Sequence, residues 1–276
     1  VLLTTRPSIA ARDVFEACCV GIVDAHRKAR LVPNSSKIGA AAADYATAAQ
    51  QGRLQTIVAT SYEPYGTATV GDFVWLYDQR LVRSRVGRGY YEAIRTGNRD
   101  ERCALCNAKQ ASTLDHHLPK AEHPIFAVTP ENLLPACRDC NAAKLASLRP
   151  TLNTYFDDLG PGRWLSAVIV IRGGSFVPDF ELAVQPTWSP ALADRAQAHF
   201  EVLRLRTVYS FEASRHLVGI RDQLAGLLDR GGAAAVQLHL QEAAASWAAN
   251  DPNSWQAAIY EACAASTWFC GGGFRG

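Results

Sequence analysis

The chain has 276 residues, 48% of them apolar, and a formal net charge of +2. That composition allows a sizeable core, but the charge is too small to mark the whole chain as a nucleic-acid binder, so any such affinity must come from a local patch. No apolar run approaches the ~20 residues that a membrane span requires, and residues 1–7 are too short for a signal-peptide core. These features lead us to expect a cytoplasmic protein with no membrane partner.

Taken in order, residues 8–29 carry Ile9, Val14, Phe15, Cys18, Ile22 and Val23 at close to amphipathic-helix spacing. His26, Arg27, Lys28 and Arg30 make its basic end, where positive charge complements the helix dipole. Ser35 and Ser36 can cap a second helix along the alanine-rich run 39–49, which ends near Gly52. Thr69 and Asp72 have the spacing of a capping box and open a helix with Phe73, Leu76, Tyr77 and Leu81 on one face. Arg80, Arg83, Arg85, Arg88 and Arg95 follow, the most basic stretch of the chain; it is either a solvated face or a flank for a bound duplex.

The residues suited to chemistry concentrate between Cys103 and Lys144. Cys103 and Cys106 form one CxxC pair and Cys137 and Cys140 a second, with 30 residues between them. Two such knuckles offer four thiolates to a tetrahedral zinc ion; two disulfides or four buried free thiols are the alternatives. Between the knuckles runs Asp115-His116-His117-Leu118-Pro119-Lys120, followed by Asn132, and after Cys140 come Asn141 and Lys144.

Asp-His-x-x-Pro, then Asn-Leu, then Cys-Asn-x-x-Lys resembles the HNH, or ββα-metal, endonuclease family. The likeness is confined to residues 103–144. It implies a β-hairpin carrying the first motif, a helix carrying the last, and a divalent ion between them. By position, His116 would be the general base, Asp115 and Asn141 the protein ligands of the catalytic ion, and Asn132 the residue that pins the hairpin loop. Asn141 stands where many relatives carry a final histidine.

The chemistry agrees with that implication. Phosphodiester hydrolysis needs a base for water and a cation to take up charge on the phosphate. A histidine suits the first task, and hard oxygens from Asp115 and Asn141 suit Mg²⁺ or Mn²⁺ for the second. Only one of His116 and His117 can aim at the ion from a regular strand; the resemblance favours His116 and leaves His117 as a ligand, a substrate contact or a packed neighbour. Lys120, Arg138 and Lys144 could meet phosphates, Lys144 foremost because it follows Asn141 by one helical turn.

Beyond Pro150, the run 165–171, Gly173-Gly174 and the alternation from Phe176 to Val184 predict a β-hairpin. Ser189-Pro190 opens a helix, and further helices fit 207–228, 233–249 and 254–267, with breaks at Gly231-Gly232 and around Pro252. Cys18, Cys19, Cys263 and Cys270 read as reduced core residues. The expected fold class is therefore α+β: a mostly helical protein with a zinc-braced ββα motif at 100–148 between helical regions 1–99 and 149–276. Its expected activity is DNA hydrolysis, with RNA as the alternative substrate. The layout also resembles HNH subunits of bacterial anti-phage systems, including Septu-type systems, which implies an ATPase partner. The competing class is a non-catalytic zinc knuckle that binds nucleic acid or protein.

Overall fold

The computed structural model describes residues 3–145 and 149–275. The described residues are mostly helical, with two separate two-stranded antiparallel sheets, an α+β composition. The chain divides into two compact units: one runs up to Leu105 and resumes over Lys109–Asp158, and the other runs from Leu159 onward and includes Cys106–Ala108.

In the first unit, helix α1 (Ala11–Val20) buries Val14, Phe15, Cys18 and Cys19 and stops at Gly21, so the predicted single helix over 8–29 is two. The second, α2 (Ala25–Leu31), is opened by Asp24, whose carboxylate accepts from the backbone N–H groups of His26 and Arg27. The basic cluster therefore lies along a separate helix and is not the end of α1. Arg27 and Arg30 reach Asp72, at 3.1 and 2.7 Å. Helix α3 (Ser35–Gln50) covers the alanine-rich run and buries Ile38, Ala41, Tyr45 and Ala49.

Thr69 and Asp72 form the expected capping box on α4 (Val70–Trp75), which continues into a π-helical stretch, Leu76–Leu81. Asp72 thus closes a cap and neutralises two arginines at once. The Arg30 hydrogen bond, with the cap donors and Arg27 behind it, holds the Asp72 carboxyl below the usual carboxylate range. A depressed folded-state pKa stabilises the protein above about pH 4, and that contribution is lost as the pH falls towards the folded value. Asp72→Ala is expected to cost about 2–4 kcal/mol at neutral pH. Urea denaturation at pH 7 and pH 3 should show the penalty shrinking in acid.

Helix α5 (Arg85–Arg95) buries Tyr91 and Ile94. Its arginines are partly committed: Arg88 pairs with Glu92, Arg95 bonds Glu92 and donates to the Ala111 carbonyl, and upstream Arg80 donates to the Cys18 carbonyl. Strand β1 (Thr113–His116) pairs antiparallel with β2 (Leu133–Ala136), and α6 (Arg138–Leu145) follows. One core joins the N-terminal helices to this hairpin: Phe15, Tyr45, Phe73 and Leu81 belong to the same cluster as Leu114, Phe126 and Leu133. The ββα element is therefore part of the helical unit and not a free-standing insertion.

In the second unit, β3 (Leu165–Arg172) and β4 (Ser175–Leu182) pair with Arg172 opposite Ser175. Gly173 and Gly174 make the turn, both at positive φ, as a two-residue hairpin requires. Ser189 caps α7 (Pro190–Val202). Helix α8 (Leu205–Gly219) ends before α9 (Arg221–Asn250), dividing the predicted 207–228 helix at Ile220. Gly232 breaks α9 with φ +68°, where the diglycine was expected to interrupt it. Ser254 caps α10 (Trp255–Ala265), and α11 (Thr267–Cys270) sets Phe269 against Phe176 and Phe274. No helix among the described residues is long and apolar enough to cross a membrane.

Candidate metal centre and hydrolytic site

The cysteine knuckles close on one point. All eight cysteines are buried, and the sulfurs of Cys103, Cys106, Cys137 and Cys140 lie within 4.8 Å of one another. Zn–S bonds of about 2.3 Å in a tetrahedron put sulfurs about 3.8 Å apart, so the group can hold a metal ion such as zinc. The first knuckle is held by backbone bonds from Cys103 N to Lys109 O (2.8 Å) and from Ala104 N to Pro135 O (2.8 Å), the latter just upstream of the second knuckle. Asn107 takes the left-handed conformation at the tip, which asparagine tolerates better than most residues. Across the knuckles, Lys109 pairs with Asp139 at 2.7 Å.

The loop between the strands is ordered by burial and by one amide. Phe126 inserts between the rings of Tyr45 and Tyr62, with centroids 5.2 and 5.3 Å away. Asn132 is fully buried; its Oδ1 accepts from Leu118 N (2.7 Å), and its Nδ2 donates to Leu118 O (3.0 Å) and Phe126 O (3.2 Å). Its backbone carbonyl accepts from His117 N at 2.8 Å. One side chain therefore ties both ends of the loop to the hairpin. Asn132→Ala would leave three buried backbone groups without this partner, and a loss of about 3–5 kcal/mol is expected, measurable as a lower urea midpoint with an unchanged slope.

Asp115 and His116 are adjacent on β1 and turn to opposite sides, as strand geometry requires. The Asp115 carboxylate is 2% exposed and faces α6, where Oδ2 meets Lys144 Nζ at 2.8 Å. Burial raises its pKa and the Lys144 charge opposes that shift. Lys144 also donates to the carbonyls of His116 (2.7 Å) and His117 (3.1 Å). Asn141 lies one turn earlier on the same helix, half-buried, with its backbone N–H bonded to Cys137 O. It precedes Lys144 by three positions, so the two are neighbours on the surface of α6.

The His116 ring packs edge-on against Tyr77, with centroids 4.4 Å apart, and Nε2 lies 2.9 Å from Ala127 O. A carbonyl can only accept, so Nε2 carries the proton and Nδ1 holds the free lone pair. Burial pushes the imidazole pKa down to about 3, against the pull of the Ala127 carbonyl. Asp115 and His116, both assigned to the site of the catalytic ion, therefore face different neighbours: Lys144 on α6 and Tyr77. His117 lies just past the end of β1, with its N–H on Asn132 O and its carbonyl accepting from Lys144.

The lysines also depart from expectation. Lys144, expected to meet phosphate, is turned inward to the buried Asp115 carboxylate and the carbonyls of His116 and His117. Lys120 pairs with Asp78 at 2.5 Å and sits 4.4 Å above the Tyr77 ring. Tyr77 and Asp78 were not anticipated as neighbours of the motif. Tyr77 was legible only as an apolar-face residue, and no spacing rule links it to a histidine 39 positions later.

No family model matches the sequence, and no solved structure matches it. Among curated proteins, residues of this chain are similar to Protein ea31 of Escherichia phage lambda, with 30% identity over 152 residues, 51% of this chain and 51% of that protein. The chain spans about half the length of that curated relative.

Proposed function

We propose that this chain is a metal-dependent endonuclease of the HNH type that hydrolyses DNA phosphodiester bonds. The observation that carries the reading is the arrangement around Asn132. A single buried amide pins the loop of a two-stranded hairpin, and an acid on that hairpin faces a helix that starts at the second cysteine knuckle. A binding knuckle accounts for the thiols, but gives no reason for a buried carboxylate on the hairpin or for a buried amide that pins its loop.

In this reading, zinc is held by Cys103, Cys106, Cys137 and Cys140. Asp115 and Asn141 are the side chains suited to a Mg²⁺ or Mn²⁺ ion, which when bound would neutralise charge on the phosphate and the departing oxygen. Oxygen donors of this kind fit a hard cation. His116 takes the proton from water through Nδ1, with Nε2–H anchored on Ala127 O and Asn132 holding the loop that supplies that carbonyl. An ATPase partner of the kind found in bacterial defence systems fits a nuclease held silent until triggered; RNA is the alternative substrate.

The test combines activity with metal content. The purified chain should nick or cut plasmid DNA with Mg²⁺ or Mn²⁺, lose that activity in Asp115→Asn, and take up an exchangeable divalent ion in addition to tightly held zinc. Intact DNA and RNA across Mg²⁺, Mn²⁺ and Ni²⁺, together with zinc as the sole bound metal, would instead favour the non-catalytic knuckle.

A further inference from the structure

Three oxygens surround one point beside β1: Asp115 Oδ2 at 2.8 Å, His116 O at 2.7 Å and His117 O at 3.1 Å from Lys144 Nζ. We propose that Lys144 is the resident cation of this oxygen cluster, and that a divalent ion reaches Asp115 only by displacing its ammonium, so that Lys144 sets the affinity of the chain for the catalytic metal. The proposal rests on the nuclease reading and deepens it.

The argument is one of charge and donor count. Of the three N–H donors of an ammonium, two go to the carbonyls of His116 and His117, and the Asp115 carboxylate lies against the charge at 2.8 Å. The pair is deeply enclosed, with 2% of the Asp115 side chain and 12% of the Lys144 side chain exposed. At such a depth an ammonium and a divalent ion sharing one carboxylate repel strongly, because water screens them poorly. The two therefore compete for Asp115.

Displacement also leaves something useful behind. Once the ammonium withdraws, one carboxylate oxygen and two backbone carbonyls are left around the same point without its positive charge. Those are ligands of the kind hard divalent ions accept. Neither carbonyl is recognisable as a metal contact from sequence. Lys144 has a flexible four-carbon stem, so its head can move without unwinding α6.

The experiment is a Mn²⁺ titration, followed by electron paramagnetic resonance, of the zinc-loaded wild type, Lys144→Met, Lys144→Gln, Asp115→Asn and the Asp115→Asn/Lys144→Met double variant. Lys144→Met and Lys144→Gln are expected to bind Mn²⁺ at least tenfold more tightly than the wild type, with the gain abolished by Asp115→Asn. Lys144→Gln keeps two donors for the carbonyls while removing the charge, and so guards against misfolding of the methionine variant.

A readout on the unaltered chain is independent of both. The slowly exchanging ammonium signal of Lys144 in a ¹⁵N-lysine spectrum should vanish on adding Mg²⁺. Wild-type Mn²⁺ binding that depends on Asp115 but is unimproved by either lysine variant, or an ammonium signal that persists at saturating Mg²⁺, overturns the resident-cation proposal and leaves the nuclease reading standing. Mn²⁺ uptake that is indifferent to Asp115 in every variant overturns both.

Discussion

Cys137→Ser is expected to release zinc and unfold the hairpin together with α6. A structural zinc site in a small element is worth about 10–16 kcal/mol of apparent binding energy at neutral pH, as much as the whole folding stability of a typical domain, about 5–15 kcal/mol. Cys137 leads directly into α6, and the first knuckle is bonded to Pro135 two residues upstream. Losing this ligand should therefore disconnect α6 from β2 and carry Lys144 away from Asp115. Elemental analysis should find zinc lost, and limited proteolysis should open new cuts between residues 100 and 145. Cys18→Ala, which alters a core thiol outside the cluster, should keep its zinc. A Cys137→Ser protein with full zinc and the wild-type digestion pattern would make the four sulfurs ordinary core thiols.

The second large effect is catalytic. His116→Ala should lower DNA cleavage by about 10²–10⁴, the usual contribution of a positioned general base, while zinc content and secondary structure stay unchanged. His117→Ala should cost less than about tenfold if it is a neighbour and not the base, since general-base loss sets the larger scale. The comparison is pointed because two arguments oppose each other: the motif register selects His116, whereas the His116 ring and the Asp115 carboxylate turn to opposite sides of β1. Burial keeps the His116 imidazole neutral at working pH, with Nε2–H on the Ala127 carbonyl and Nδ1 as the proton acceptor. The opposite ranking of the two variants, with His117→Ala the inactive one, would transfer the base to His117.

The acid-side behaviour of the fold carries the same information. Because the folded state holds His116 with a pKa of about 3 while an unfolded histidine titrates near 6.5, the unfolded chain binds the extra proton between those values. Stability from this residue is complete above about pH 6.5 and drains away as the pH falls towards 3. An asparagine at 116 should flatten that part of the stability curve.

Much of the local structure was legible in the chain. The capping box at Thr69 and Asp72, the Ser189-Pro190 helix start, the diglycine hairpin turn and the break at Gly232 all appear where residue chemistry placed them. The same holds for the grouping of the four thiols, since CxxC spacing brings each pair together. Asn132 was assigned to the hairpin loop through its motif, and its three side-chain bonds are local to that loop. The helix over 8–29 misread Gly21, because apolar periodicity continued through a break that the Asp24 cap imposes.

What the chain determined by itself were features fixed within a turn or two of backbone: caps, turns, knuckles and the order of the motif residues. The tertiary structure decided which charges meet, because those partners are far apart in sequence and burial selects among many equivalent lysines and arginines. Arg27 and Arg30 found Asp72 from 45 and 42 residues away. Lys144 turned inward for the same reason: a carboxylate buried beneath α6 needs a counter-charge, and packing of that helix brought this ammonium within reach.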